Sequence, residues 1–167
     1  MSSTIPVLLR ENVEVLRQGL VLLDRLDDDQ FRTGVPALKL AGPGAHFRHV
    51  IDFYRRLLEG LGEGDVDYDR RERDPRIETE RSACRAALLD LQQRLQGIER
   101  ADRALAVRCD QLPSASSTLA RELQGLVSHT VHHYALIAVA ARAHGVQPDE
   151  AFGVAPSTLA YWRECVS

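Results

Sequence analysis

Ser128-His129-Thr130-Val131-His132-His133-Tyr134 lies inside the longest apolar-periodic segment of the chain, residues 118–144. Leu119, Leu123, Leu126, Thr130, Tyr134, Ile137 and Ala141 recur there at three- and four-residue steps, the period of a helix that buries a wide face. Gly145 is placed to end it. His129 and His133 are four residues apart, so on a helix they stand about 40° apart around the axis, one turn above the other. Two imidazoles stacked in that way can reach one metal ion. His132 is offset by about 100° from His133 and about 60° from His129, and is expected to look away from a site they share. His144 falls in the last turn, where a partly protonated imidazole complements the helix dipole, and reads as structural.

Upstream of this segment the periodicity predicts three more long helices. The first covers residues 5–29, with Val7, Leu8, Val13, Leu16, Leu20, Leu23 and Leu26 on its apolar side and Asp27-Asp28-Asp29 as a solvated end. Residues 30–42, punctuated by Gly34, Pro36 and Gly42, read as a loop. Pro43 suits the first turn of a second helix running from Gly44 to about Leu61, which carries His46 and His49 beside Phe47, Val50, Ile51 and Tyr54. A third helix is predicted from Pro75 to about Ile98 through Ile77, Leu88, Leu91 and Leu95. Alternating Leu105, Val107 and Cys109 suggest a short extended segment within residues 101–113. Ser114 to Thr118 reads as a polar turn, with Ser116 or Ser117 and Glu122 capping the last helix. The tail from Gln147 reads as a loop on the helices followed by a short helical turn. Residues 63–79 mix both signs of charge and hold few core residues. They read as a solvated connector, or as a loop at the mouth of a site where Tyr68, Arg71 and Arg73 contact a polar ligand.

Composition narrows the function classes. The 167 residues fit a single domain, residues 1–167, and the hydrophobic content of 44% supports a buried core. A net charge of −3 with no basic half argues against binding nucleic acid through its phosphates. No apolar run approaches the ~18 residues of a membrane span, and the first ten residues lack the pattern of a signal peptide. Cys84, Cys109 and Cys165 are scattered without CxxC spacing. That suits a reducing cytoplasm better than a disulfide framework.

Five of the six histidines fall in two tight clusters on separate predicted helices. Neutral imidazole is the commonest metal ligand, and cores of helical bundles are common places for metal sites built from facing helices. Three histidines that leave a coordination position open make a catalytic type of site, where a water is acidified or a thiol held as thiolate. The spacing leaves His46 and His49 both open as the ligand from the second helix. Asp52, three residues after His49, is placed to orient an imidazole or to sit on the surface.

Gly44-Ala45-His46-Phe47-Arg48-His49-Val50-Ile51-Asp52-Phe53-Tyr54, taken with Ser128 to Ile137, resembles the DinB-like family of metalloenzymes, also called YfiT-like. The resemblance implies an all-α chain: a four-helix bundle with a long crossover connection, one histidine on the second helix and an HxxxH pair on the last. Carried over residue by residue, the ligands fall on His49, His129 and His133, with His46 the competing assignment for the first. The implied ion is zinc, nickel, manganese or iron. The resemblance also implies a homodimer and transfer of a low-molecular-weight thiol, or a related hydrolysis or isomerisation. Tyr134-Ala135-Leu136-Ile137 departs from the Tyr-His-x-x-Gln sequence of some relatives. Two other functions compete with the cytoplasmic metal-dependent enzyme. One is a metal- or ligand-binding bundle without turnover; the other is a metal-free interaction module whose histidines do not converge.

Overall fold

The first helix is amphipathic because its apolar residues repeat at three and four. In the computed structural model, which describes residues 4–70 and 72–166, α1 spans Thr4–Arg25 and buries Ile5, Leu9, Leu16, Leu20 and Leu23. It ends four residues earlier than its periodicity suggests. Asp27 is not a trailing end but the cap of a new helix, α2 (Asp28–Arg32). Its carboxylate accepts from the Gln30 backbone N–H at 2.8 Å while the Gln30 side chain accepts from the Asp27 N–H at 2.9 Å. That reciprocal pair starts a helix, and Asp28 and Asp29 then sit in a first turn that favours negative charge.

Helix α3 (Pro43–Gly60) starts with proline at its first position, as expected, and buries Phe47, Val50, Ile51, Tyr54 and Leu57. The predicted third helix divides in two. Asp74 caps α4 (Pro75–Thr79), and α5 (Arg81–Gln96) follows after Glu80 adopts an extended backbone at φ −121°, ψ 112°. At the break, the Arg81 guanidinium donates to the Leu23 and Leu26 carbonyls and to Asp28. It thereby adds a donor to carbonyls at the end of α1, where Leu23 also accepts from the Leu26 N–H. The last long helix, α6 (Leu119–Ala143), is followed by α7 (Pro156–Val166), which is longer than the single turn expected and leaves Tyr161 and Trp162 exposed.

The expectation of an all-helical chain is corrected by a small sheet. Strand β1 (Asp65–Asp67) pairs parallel with β2 (Ala104–Arg108), which pairs antiparallel with β3 (Ala115–Thr118). The extended segment expected around Leu105 and Val107 is β2, and the polar turn expected at Ser114 to Thr118 is largely β3. Parallel pairing needs a crossover, and α4 and α5 supply it between β1 and β2. Thr118, not Ser116 or Ser117, caps α6; its hydroxyl accepts from the Arg121 N–H at 3.3 Å.

The chain is thus mostly helical. Helix α1 packs on α5 and α6, and α3 packs on the same two. Gly19 permits one close approach, since a β-carbon there would stand 2.1 Å from the Tyr134 hydroxyl. The α3–α6 contact positions the site, because both histidine clusters face it. Among the described residues, no helix is long and apolar enough to cross a membrane.

Candidate metal centre

His46 and His49 lie one turn apart on α3, and His129 and His133 one turn apart on α6, so packing these helices brings four imidazoles together. The Nε2 atoms of His49 and His129 are 3.2 Å apart. The His133 ring centroid lies 4.5 Å from that of His49 and 4.6 Å from that of His129. One ring nitrogen from each of these three half-buried residues lies within 4.8 Å of the other two. Imidazole nitrogens about 2.0–2.1 Å from a shared zinc-like ion would be roughly 3.3 Å apart, so the donor set fits a divalent cation. His46 takes a different place. Its Nδ1 meets His133 Nδ1 at 3.1 Å, and it stands outside the convergent group.

Charge favours the coordinating form. Burial, then the neighbouring His129, His49, His46 and His132, lowers the basicity of His133 to about 3. Burial and then His132 also lower that of His46. Both shifts favour the neutral ring, and a neutral imidazole keeps the lone pair that an ion requires. His132 is exposed and edge-on to His133 at 5.2 Å, looking away as its helical phase requires. His144 bonds the Thr33 carbonyl through Nε2 at 2.8 Å, a structural contact.

Phe53, which sequence reasoning passed over, walls the cluster. Its ring lies 4.2 Å from His129, 4.9 Å from His49 and 5.0 Å from Tyr68, with which it stacks. Beyond Phe53 a pocket of about 420 Å³ runs from His129 between the sheet and α6, past Tyr68, Cys109, Glu122 and Gly125. Tyr68 therefore lines the pocket beside the candidate centre, as a buried wall and not as an exposed loop residue. Its hydroxyl donates to Glu122 at 2.8 Å, and Ser117 donates to the other Glu122 oxygen at 2.5 Å. Burial and the adjacent Glu122 carboxylate raise the Tyr68 phenol far above its ordinary range, so it stays a protonated donor.

Arg73 is exposed, in a left-handed turn at φ 51°, and does not line the pocket. Arg71 lies outside the described residues. Asp52 is buried, which corrects the surface reading, and it accepts from Arg48 at 3.0 Å while Arg48 also donates to Glu78. Asp69, Cys109 and Asp110 also come close to one another. The Asp69 carboxylate is occupied there with the Asp110 and Gln111 N–H groups, both at 2.9 Å, which hold a turn with two positive φ values. Cys84 sits in the core, where burial pushes its thiol up to about 12 and leaves it unreactive.

Three comparisons place this chain among known proteins to different extents. The model of the DinB family matches residues 1–164. Comparison with curated proteins and with solved structures found no match. A family match over nearly the whole chain, on a mostly helical fold that gathers His49, His129 and His133, shows that this chain belongs to the DinB family.

Proposed function

We propose that His49, His129 and His133 bind one divalent metal ion, and that the protein is a metal-dependent enzyme acting on a small molecule. The observation that carries this reading is the convergence of three half-buried imidazole donors, one of which, His129, lines an open pocket. In this reading the long helices form the family's bundle, with the β1–β2 crossover as its long connection. The reaction class is transfer of a low-molecular-weight thiol, or hydrolysis. Zinc, nickel, manganese and iron all suit an imidazole set, with selection left to geometry and supply.

Once bound, the ion supplies a Lewis acid that acidifies a water or thiol held beside it. The chain's own residues arrange the rest. His46 faces His133 Nδ1 at 3.1 Å. If His133 donates its Nδ1 proton to His46, its tautomer is fixed and its Nε2 lone pair is left for the ion. Phe53 covers the His49 and His129 rings and restricts water. Glu122, bonded to both Tyr68 and Ser117, fixes the pocket wall. A single-domain, cytoplasmic homodimer completes this reading. The pocket beside His129 gives a small molecule a place next to the candidate centre, which favours a site that handles a substrate over a sealed one.

The test is activity of protein loaded separately with zinc, nickel, manganese and iron. Displacement of chloride from an aryl chloride by glutathione and hydrolysis of a nitrophenyl ester serve as probes of the two reaction classes. The expected result is turnover that needs the ion and disappears in His129→Ala. Full metal occupancy without turnover on either class, across all four ions, would overturn the enzymatic reading and leave the binding protein.

A further inference from the structure

Arg121, Gly125 and His129 succeed one another at four-residue steps along α6, so they share one face of the helix. All three line the pocket beside the candidate centre. Gly125 leaves the middle of that face without a side chain. The Arg121 guanidinium leans over the gap, with Nη1 3.6 Å from the point where a Gly125 β-carbon would stand. One end of the pocket floor is therefore a cation, the centre is bare helix, and the other end is an imidazole of the candidate centre.

The cation is uncommitted. Its neighbour Glu122 is engaged by Tyr68 and Ser117. Among the described residues, Arg121 has no carboxylate partner, in contrast to Arg17, Arg48, Arg76, Arg81 and Arg108. A guanidinium forks two N–H groups toward a carboxylate in a way that few other groups match. Each four-residue step advances about 6 Å along a helix. A ligand whose carboxylate meets Arg121 above Gly125 thus reaches His129 with a chain of about that length.

We infer that the substrate of this site is a small carboxylic acid, held by Arg121 across the gap at Gly125 so that its opposite, reacting end lies against His129. The inference rests on the metal-dependent reading for what happens at that opposite end. The recognition of the carboxylate by Arg121 stands on the pocket alone. Neutral thiols or esters of equal length lack the contact and bind more weakly.

The test compares 4-mercaptobutyrate with 4-mercaptobutanol, which share a chain length and differ in the carboxylate. Titrations follow the amide resonance of Gly125 in the zinc-loaded and the metal-free protein, for the wild type and for Arg121→Gln. Arg121 is exposed, so the substitution leaves the fold intact, which the rest of the amide spectrum verifies. The wild type is expected to bind the acid about tenfold more tightly than the alcohol, as charge-assisted hydrogen bonding predicts, and Arg121→Gln to bind the two equally. Equal affinities in the wild type, or a preference that survives in Arg121→Gln, would overturn the inference. Failure of zinc to load would count against the metal reading alone, because the metal-free titration still decides the role of Arg121.

Discussion

Two polar clusters meet at the α3–α6 contact, and adjacent residues of the chain feed different ones. Tyr54 and Thr130 join Asn12 of α1 in the core, while their neighbours Phe53 and His129 belong to the histidine cluster. In the core network, donors meet acceptors. The Tyr54 hydroxyl donates to the Asn12 side-chain oxygen at 2.7 Å. The Asn12 amide donates to the Leu8 and Leu123 carbonyls at 2.8 and 3.1 Å, and Thr130 donates to the Leu126 carbonyl at 2.7 Å. In the histidine cluster, nitrogens face nitrogens at 3.1 and 3.2 Å. A facing pair of neutral rings holds at most one proton between its two nitrogens, so such a contact presents a lone pair as well as a donor. The first cluster completes its own bonding and stabilises the fold. The second is held by that fold in an arrangement a cation would complete.

The contrast is tested hardest by Asn12→Leu. It removes the acceptor of Tyr54 and the donor to the Leu123 carbonyl inside a sealed core, so a loss of about 2–4 kcal/mol is expected. Urea denaturation measures it, and a change below about 0.5 kcal/mol, the scale of ordinary surface substitutions, would put the core network on the same footing as the dispensable surface. Next in size is the effect at His46. His46→Leu removes the group facing His133 Nδ1 and is expected to weaken metal binding about 10- to 100-fold, with little change in the stability of the metal-free protein. His46→Asn, which keeps an acceptor, should retain most of the affinity. Equal affinities in the two variants would show that His46 does not act through a hydrogen bond to His133.

The smallest effect is a pH dependence of the metal-free protein. His133 takes its proton near pH 6.5 when unfolded but only at about 3 when folded. Between those values the unfolded chain holds the extra proton, so stability rises with pH there and falls on acidification. The upper part of the window, above the carboxylate range, is where His133 is read most cleanly. Denaturation midpoints should decline from pH 6.5 to 5 in the wild type and decline less in His133→Leu. An unchanged slope in the variant would show that the histidine cluster does not resist protonation.

Much of this was legible in the chain. The long helices follow from apolar residues at three- and four-residue steps, and the start of α3 from Pro43. His129 and His133 share a helix face by spacing alone. The spacing on α3 did not choose between His46 and His49, because one turn separates them and only the rotation of α3 against α6 decides which ring points inward. The division at Glu80 was hidden because Ile77, Cys84 and Leu88 continue a helical period across it. Strand β3 was hidden because Ser116 and Ser117 carry no apolar alternation; it sits at a sheet edge and gains its pairing from β2. The pocket wall was least legible, since Phe53, Tyr68, Cys109 and Glu122 come from separate elements. The Arg121, Gly125, His129 spacing was nevertheless present on a single helix.

The metal-dependent reading of the α3–α6 contact depends on His49, His129 and His133 making one metal site. Elemental analysis decides it, on protein purified without a histidine tag and reconstituted with divalent metal, beside His49→Ala and His129→Ala. One equivalent of metal per chain in the wild type, lost in both variants while their helical circular dichroism persists, is the predicted result. A wild type that stays metal-free after reconstitution, or variants that keep the full equivalent, would contradict it.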